Sequence, residues 1–525
     1  MRVGIDVGGT NTDAVLMNGS DVVAWVKAPT TMDVGEGIEA VLRSLIAESG
    51  VPTSRIQSVM IGTTHFTNAL VECRGLLEVG VIRLASPSGE ALKPKIGWPQ
   101  SLRRAVGEHS FLVPGGYEFD GREIAPFDKT AVTQAAREIR ARDLKAVAIS
   151  SVFAPVNDHM ENHAAEIVAR ENPGISISLS KDIGRLGFLE RENAAIMNAA
   201  LSQLSLHVVQ SLEQAIRRLN IEAPFYISQN DGTLMSASYV ARYPVLTIAS
   251  GPTNSMRGAA YLSGLADAVV IDIGGTTSDV GVLQGGFPRE SSVEADIGGV
   301  RTNFRMPDIL AIGLGGGTRI HLNPANFTGP ADQIGDIAIG PDSVGYRLTK
   351  DAFVFGGETL TVTDLAVARG QASIGDSNKA PRLSESVCDQ LNEQIHLMLE
   401  DALDRVKTSP ADVPVILVGG GNIIVNRKLR GASEIIRPAL ASVANAIGAA
   451  IAQVGAEVDK LFSYDSLGRD QALALAKGEA IRRVVEAGGI EATAKVIEID
   501  EVAMSYLPGQ TVRVRAKATG DLAFS

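Results

Sequence analysis

The stretch Ile5-Asp6-Val7-Gly8-Gly9-Thr10-Asn11-Thr12-Asp13 decides the fold of this chain. It lies between an opening apolar run and the apolar residues 14–17, so it predicts a hairpin of two buried strands. Residues 271–279, Ile-Asp-Ile-Gly-Gly-Thr-Thr-Ser-Asp, repeat the pattern with Ile, Asp, Gly, Gly, Thr and Asp at the same spacing, and 280–283 supply a second strand. Because the turn is duplicated, we expect a duplicated domain.

The composition of these two turns suits the binding of phosphate. Adjacent glycines let the backbone bend sharply and leave N–H groups that no Cβ obstructs, so an anionic oxygen can approach them. Thr10 and Thr276 add hydroxyl donors. Asp6 and Asp272 would repel phosphate directly and are better suited to holding a hydrated Mg²⁺ that bridges phosphate oxygens. One such turn could simply make a hairpin, but two copies favour phosphate binding.

Composition limits the classes of function. A chain of 525 residues, 45% hydrophobic and 21% charged, is ordinary globular protein of roughly two to four domains. Its net charge of −12 argues against nucleic acid as a partner. The chain has only two cysteines, no apolar run long enough to span a membrane, and no signal-peptide pattern. We therefore expect a cytoplasmic protein without a membrane partner.

A polar cluster follows the short apolar run 58–61. Thr63, Thr64, His65 and Asn68 stand at a predicted strand-to-helix junction, where the helix N-terminus supplies further donors. They could form a rim for a small ligand, or the threonines could simply cap the helix. His65 is the plausible proton carrier of the cluster, although it could equally form a hydrogen-bonding wall.

Two glycine runs end predicted strands. Residues 315–317 lack the final glycine of a dinucleotide fingerprint, but they could form an anion-binding nest. Residues 419–421, followed by Asn422, would let a flat base or ribose lie against bare backbone.

Two charged patterns point to ordinary structure. Residues 186–218 have the spacing of a long helix, and we interpret the charges at 190–193 as a solvated face of it. His159 and His163 could share a helix face as zinc ligands. No third ligand and no metalloprotease spacing accompany them, so we do not favour zinc.

The two turns and the second glycine run together resemble the phosphate-one, phosphate-two and adenosine motifs of the actin-like ATPase superfamily. Within it the chain is similar to the hydantoinase A/oxoprolinase family. The segments that carry the similarity are 4–13 (GIDVGGTNTD), 62–70 (GTTHFTNAL), Glu190-Arg191, Asn198-Ala199, 250–252 (SGP), 271–279, 315–317 (GGG), 340–343 (GPDS) and 361–364 (TVTD).

This resemblance implies an α/β fold in which duplicated actin-like ATPase (RNase H-like) domains surround an inter-domain nucleotide cleft. We predict the domains at 1–200 and 201–455, with a small α+β C-terminal tail at 456–525. The implied cofactors are ATP and Mg²⁺, and the implied substrate is a cyclic amide such as a hydantoin or oxoproline. The family usually pairs this subunit with a B-type polypeptide, so we expect a hetero-oligomer or a dimer.

The site residues implied by the resemblance fall into three groups. The nucleotide-binding residues are Gly8, Gly9, Thr10, Asn11, Asp13, Gly274, Gly275, Thr276, Thr277, Asp279, Gly315, Gly316, Gly317, Gly419, Gly420, Gly421 and Asn422. The catalytic residues are Asp6, Asp272 and His65, with Mg²⁺ held by the two aspartates. The substrate-binding residues are Thr63, Thr64 and Asn68.

The implied reaction is phosphorylation of the amide oxygen by ATP, followed by ring opening with water. Three alternatives stay open: a nucleotide-dependent switch without catalysis, a small-metabolite kinase, and a subunit of a ketone carboxylase. All of them require that residues 5–17 and 271–283 form equivalent hairpins that face each other.

Overall fold

The computed structural model describes residues 1–31, 34–291, 295–303, 306–322, 337–505, 507 and 509–522. In chain order its strands are β1 (Arg2–Val7), β2 (Asn11–Asn18), β3 (Asp21–Pro29), β4 (Ser58–Thr63), β5 (Val79–Ser86), β6 (Ser110–Pro114), β7 (Ala146–Ser151), β8 (Ser176–Leu179), β9 (Phe225–Ser228), β10 (Leu234–Ser236), β11 (Ala268–Ile273), β12 (Ser278–Gln284), β13 (Phe287–Pro288), β14 (Ala295–Ile297), β15 (Val300–Thr302), β16 (Ile309–Ile312), β17 (Thr318–Leu322), β18 (Ile337–Ser343), β19 (Val413–Val418), β20 (Ala432–Ile436), β21 (Val454–Ser463), β22 (Lys495–Ala503) and β23 (Thr511–Gly520).

The helices cover the sheets. They are α1 (Val34–Ser49), α2 (His65–Val71), α3 (Gln100–Val106), α4 (Lys129–Ala141), α5 (His159–Glu171), α6 (Ser180–Ile183), α7 (Phe188–Arg218), α8 (Ala237–Arg242), α9 (Ser250–Ser263), α10 (Leu348–Asp351), α11 (Val362–Ala368), α12 (Glu385–Val406), α13 (Ala444–Ala450), α14 (Tyr464–Leu467) and α15 (Arg469–Glu486). None of these helices combines the length and the apolar character that crossing a membrane requires. Strands and helices alternate along much of the chain, as expected for an α/β protein.

The first sheet brings together distant parts of the chain. Among the described residues it has nine strands in the order β22-β23-β21-β10-β9-β4-β1-β2-β3. Its centre is parallel, because β4 pairs in parallel with both β1 and β9. Strand β4 is buried along its whole length, as expected for a strand with helices on both faces. The carboxyl ends of β1, β4 and β9 therefore meet at one edge of the sheet.

The second sheet repeats the pairing of the first. Its described strands run in the order β13-β12-β11-β19-β20, and β16 also pairs with β12. Strand β11 pairs antiparallel with β12 and parallel with β19, just as β1 pairs with β2 and with β4. Asp6 lies opposite Asp13, and Asp272 lies opposite Asp279. The two predicted hairpins are therefore present with the same register.

Helices α9 and α13 cross between the two sheets. A carbon added to Gly258 would lie 1.9 Å from the carbonyl oxygen of Ala444, and one added to Gly448 would lie 1.8 Å from that of Asn254. The two backbones are in direct contact there, which no residue with a Cβ would permit. Helix α13 packs on β1 and β4, whereas α9 packs on β11 and β19 as well as β4, so this crossing joins the two halves.

A third α/β layer is inserted between β4 and α7. Its sheet has the order β6-β5-β7-β8, and its own apolar core includes side chains of α4 and α5. Helix α7 begins against this layer. The prediction that residues 190–193 form a solvated face of this helix is wrong. Arg191 and Glu192 are 0% and 1% exposed.

The buried charges of α7 are paired, which explains how they are tolerated. Glu192 accepts a hydrogen bond from Arg83 Nε at 2.8 Å and another from Ser150 Oγ at 2.7 Å. Arg191 Nη2 donates to the carbonyl oxygen of Ser151 at 2.6 Å. Burial of a charge is acceptable when partners replace its water, so this cluster fixes the inserted layer to the helix.

The predicted boundaries at 1–200, 201–455 and 456–525 stay a prediction, and the sheets group the strands differently. β9 and β10, which lie after residue 200, belong to the first sheet. The strands expected in a C-terminal tail also extend that sheet, because β21 pairs with β10 and with β23. Pairing between strands so far apart in sequence leaves no local pattern from which it could be predicted.

Candidate functional site

The two duplicated turns lie against each other. In the first turn the N–H of Gly8 donates to the carbonyl oxygen of Asn11 at 3.0 Å, and in the second Gly274 donates to Thr277 at 2.9 Å. A carbon added to Gly275 would lie 2.8 Å from Thr10 Oγ1. The equivalent hairpins therefore face each other and are in contact at their tips.

Four aspartates lie behind the turns. Asp6 and Asp13 are 5% and 7% exposed. Burial, and then the charge of Asp13, raise the pKa of Asp6 to about 7, while burial and then Asp272 raise the pKa of Asp279 to about 7. Burial also raises the pKa of Asp13 and of Asp272. So many buried carboxylates are costly without a cation, and such a cluster is typical of a functional site.

Two residues that contact these carboxylates were not among the predicted site residues. Lys27 Nζ, on β3, donates to both oxygens of Asp13, at 2.5 and 2.6 Å. Asn445, on α13, donates to Asp6 Oδ2 at 3.3 Å, and its amide opposes the rise in the pKa of Asp272. The signal for Lys27 is its place in the strand that follows the first hairpin. The sequence signal that could have identified Asn445 is a polar amide side chain within the Ala- and Gly-rich stretch that forms α13.

Glycines leave room for the aspartates in both halves. A carbon added to Gly62, on β4, would lie 2.7 Å from Asp6 Oδ1. A carbon added to Gly419, which follows the equivalent strand β19, would lie 2.2 Å from Asp272 Oδ1. Gly419 also has a φ of +81°, a conformation that glycine adopts without strain.

The glycine run 315–317 supports the second turn from below. The N–H groups of Gly316 and Gly317 donate to the carbonyl oxygens of Gly274 and Gly275, at 3.0 and 2.6 Å. The N–H of Gly315 donates to Thr318 Oγ1 at 2.7 Å. All three donors are occupied, so the anion-binding nest considered for this run is contradicted, and the glycines allow a close backbone approach instead.

The run 419–421 packs on the same turn. The N–H of Gly421 donates to the carbonyl oxygen of Ile273 at 2.7 Å, and Asn422 Nδ2 donates to the carbonyl oxygen of Gly419 at 2.6 Å. A carbon added to Gly420 would meet no atom within 4 Å. Within this run only Gly420 offers the open backbone predicted for a base or ribose.

The predicted polar rim lies at the carboxyl end of β4, beside the first turn. Thr63 pairs with Val7 of β1, and its Oγ1 accepts a hydrogen bond from the N–H of His65 at 3.1 Å. The hydroxyl of Thr64 donates to the carbonyl oxygen of Val7 at 3.4 Å. Both threonines thus support local structure, while Asn68 is exposed. The role of the rim in binding stays a prediction.

A divalent cation would share this site with water and phosphate. Over the ranges that the structure describes, no three His, Cys, Asp or Glu side chains are placed to hold a metal ion. Mg²⁺ usually keeps several waters and binds through one or two carboxylates plus substrate phosphates. The carboxylates of Asp6 and Asp272 fit that requirement. His163 instead stacks on Phe127, with ring centroids 4.5 Å apart.

A cleft of about 690 Å³ opens beside the first sheet. Its floor includes residues 229–231, which follow β9, and its walls come from the inserted layer on one side and from β21 and α15 on the other. Arg185 reaches across it to Glu457, at 3.3 Å. Since β9 is two strands from β1, the floor lies roughly 10 Å from the β1 end of the sheet.

Several known proteins similar to this chain are longer. The caprolactamase subunit alpha of Pseudomonas jessenii is 26% identical over 404 residues, which are 71% of this chain and 55% of that protein. The acetone carboxylase beta subunit of Xanthobacter autotrophicus is 24% identical over 436 residues, 76% of this chain and 59% of that protein. 5-Oxoprolinase 1 of Arabidopsis thaliana is 25% identical over 419 residues, which are 70% of this chain and 31% of that protein. The chain thus spans little more than half the length of the first two.

Two solved structures share the fold over the whole chain. The ATP-dependent caprolactamase from Pseudomonas jessenii has a TM-score of 0.78 at 19% identity. The match covers 100% of this chain and 88% of the caprolactamase chain. The nucleotide-free acetone carboxylase has a TM-score of 0.70 at 20% identity, with the same coverage. These similarities confirm the predicted fold, the duplicated actin-like ATPase fold.

The family is shown by the sequence itself. Residues 2–172 match the hydantoinase/oxoprolinase N-terminal region, and residues 191–376 match the hydantoinase/oxoprolinase domain that follows it. Together the two matches extend over most of the chain and include both duplicated turns. The chain belongs to the hydantoinase/oxoprolinase family.

Proposed function

We propose that this chain is the ATP-binding, A-type subunit of an ATP-dependent cyclic amide hydrolase. The observation that carries the proposal is the contact between two equivalent Gly-Gly-Thr turns with four aspartates behind them. Backbone N–H groups of the two turns can hold phosphates from both sides. The ATP-dependent caprolactamase and the 5-oxoprolinase among the similar proteins support this function.

Phosphorylation is needed because the lactam amide is resonance-stabilised and resists water. In the proposed reaction the amide oxygen attacks the γ-phosphorus, and the bond from that phosphorus to the bridging oxygen of ADP breaks. Water then adds to the ring carbon, and the carbon–nitrogen bond breaks as the nitrogen takes a proton. The resulting acyl phosphate is hydrolysed by a second water. The products are the ring-opened amino acid, ADP and phosphate.

The residues of this chain position the reactants. Asp6 and Asp272 would hold Mg²⁺ through water, and the ion would neutralise phosphate charge. His65 carries a proton near the amide, because it is an imidazole at the start of α2 beside the first turn. Thr64 and Asn68 hydrogen-bond the amide.

The cyclic amide approaches through the cleft beside the first sheet. Its floor lies at the carboxyl ends of parallel strands, where ligands of α/β proteins collect. Lys181, Arg185 and Lys460 are among the many ionisable residues of its lining, so the cleft suits a strongly polar ring better than an apolar one.

A B-type partner supplies the hydrolytic half. Similar proteins are named as alpha, beta and gamma subunits. Within the described residues there is no metal-ligand cluster that would activate water in this chain alone. The free thiols of Cys73 and Cys388 suit the cytoplasm, where such an assembly would keep its cysteines reduced.

ADP release by the purified chain tests this function, with and without a lactam and a B-type partner. ATP turnover stimulated by the lactam supports it. Stimulation by a ketone with bicarbonate would instead support a ketone carboxylase subunit. That second candidate is favoured by the match to acetone carboxylase beta subunit over 76% of the chain. ATP binding without turnover under any condition would indicate a nucleotide switch.

A further inference from the structure

The first hairpin carries its own cation. The strand register places Asp6, Asp13 and Lys27 in one row across β1, β2 and β3. Residues paired in this way present their side chains to the same face, with Cβ atoms roughly 4.5–5.5 Å apart. Lys27 Nζ occupies both oxygens of Asp13, at 2.5 and 2.6 Å, and its side chain is 29% exposed. Asp13 is therefore already neutralised from within the chain.

The equivalent row of the second hairpin has no lysine in the position that Lys27 occupies in the first. Asp279 pairs with Asp272 on one side and with Ala311, on β16, on the other. Ala311 thus stands where Lys27 stands in the first half. In the part of the chain that the structure describes, Asp279 has no hydrogen-bond donor and no cation beside it, and its charged neighbour is Asp272.

The side chains beside Asp272 do not remove this imbalance. Ser255 and Asn445 are neutral, and Lys27, whose charge also acts on Asp272, is already paired with Asp13. The first hairpin thus has two carboxylates and the ammonium of Lys27, whereas the second has two carboxylates and no cation among the described residues paired with it.

We propose that the divalent cation of the ATP site, which Asp6 and Asp272 would hold through water, lies on the side of the second hairpin because Asp279 also binds it, and that Lys27 takes the equivalent place beside Asp13 in the first. This inference rests on the proposed ATP-binding function and adds which half of the duplicated site holds the ion. The site then takes one metal ion with each nucleotide, although it contains two copies of the aspartate pair.

Binding of Mn²⁺ to the full chain with a non-hydrolysable ATP analogue tests the inference. The electron paramagnetic resonance signal of free Mn²⁺ gives both stoichiometry and affinity. We expect one ion per wild-type chain. Ala311→Lys places an ammonium beside Asp279 and should weaken Mn²⁺ binding by roughly tenfold or more, whereas the uncharged Ala311→Gln should not. Ala311 is exposed, so neither change is expected to disturb folding.

The reciprocal variants act on the first hairpin. Lys27→Gln frees Asp13 and should create a second Mn²⁺ site, while Lys27→Arg should keep one. Unchanged Mn²⁺ affinity in Ala311→Lys, or a single ion in Lys27→Gln with wild-type unfolding temperature, overturns the inference. If the wild type binds the nucleotide and Mn²⁺ but Asp279→Asn changes nothing, the metal assignment alone fails. If the wild type binds neither, the proposed ATP function fails as well.

Discussion

The substitution Gly62→Ala tests the packing behind the first turn separately from ligand binding at the tip of that turn. A Cβ at Gly62 would lie 2.7 Å from Asp6 Oδ1 and 2.6 Å from Asn254 Nδ2, both closer than the 3.0 Å limit of real Cβ contacts. Both side chains are buried, so at least one of them must move. The backbone of Gly62 lies within β4 and has no left-handed conformation that alanine would strain.

The size of the effect follows from these contacts. Overpacking a buried position costs about 1–3 kcal/mol. Displacing the carboxylate of Asp6 also weakens its hydrogen bond from Asn445, and a hydrogen bond to a charged group contributes about 1.5–3 kcal/mol. We therefore expect Gly62→Ala to lower the free energy of unfolding by about 2–5 kcal/mol.

Gly9→Ala is the matched control at the tip of the same hairpin. A carbon added to Gly9 meets nothing within 4 Å, so the free energy of unfolding should change by no more than about 0.5 kcal/mol. ATP binding should nevertheless weaken, because the methyl group stands where a phosphate oxygen approaches the backbone. Urea unfolding followed by circular dichroism measures stability, and calorimetry with an ATP analogue measures binding. An unchanged urea midpoint in Gly62→Ala would refute the placement of Asp6 beside Gly62.

Asp272→Asn should abolish ATP turnover while calorimetry still detects nucleotide binding, because backbone donors supply binding and the charge acts on the transition state. Wild-type turnover would remove Asp272 from the mechanism. Asp279 has a folded-state pKa of about 7 against an ordinary 3.8, so its contribution to stability is present below about pH 4 and is lost as the pH rises through about 7. Thermal unfolding without metal should show a smaller loss over that window in Asp279→Asn than in wild type, and identical slopes would contradict this. Finally, the chain alone should open a lactam slowly or not at all, and full ATP-coupled release of the amino acid without a second protein would show that its active site is complete.

The hairpins could be predicted from sequence because their signal is local. A Gly-Gly-Thr turn between two apolar runs specifies strand, turn and strand within about a dozen residues, and the second copy at 271–279 has the same register in the structure. The polar rim beside β4 was placed for the same reason, since it directly follows a strand that is parallel to β1.

The partners of the aspartates could not be predicted in this way. Asn445 lies 439 residues from Asp6 in sequence, and only the crossing of α9 and α13 brings it to the carboxylate. Lys27 is close in sequence, but its role depends on the pairing of β3 with β2, which the hairpin motif does not specify. Both contacts are set by tertiary structure.

Glycine is ambiguous in sequence because the same residue serves two physical purposes. It allows a ligand to approach the backbone, and it equally allows one backbone to approach another. The tip of the first hairpin is of the first kind, since a carbon added to Gly9 meets nothing. Gly315 is of the second kind, since a carbon added there would lie 2.8 Å from the backbone of Gly275 and Thr276. The motifs identify where glycine is required, whereas the packing around each Cα decides whether a nucleotide or the protein itself fills the space.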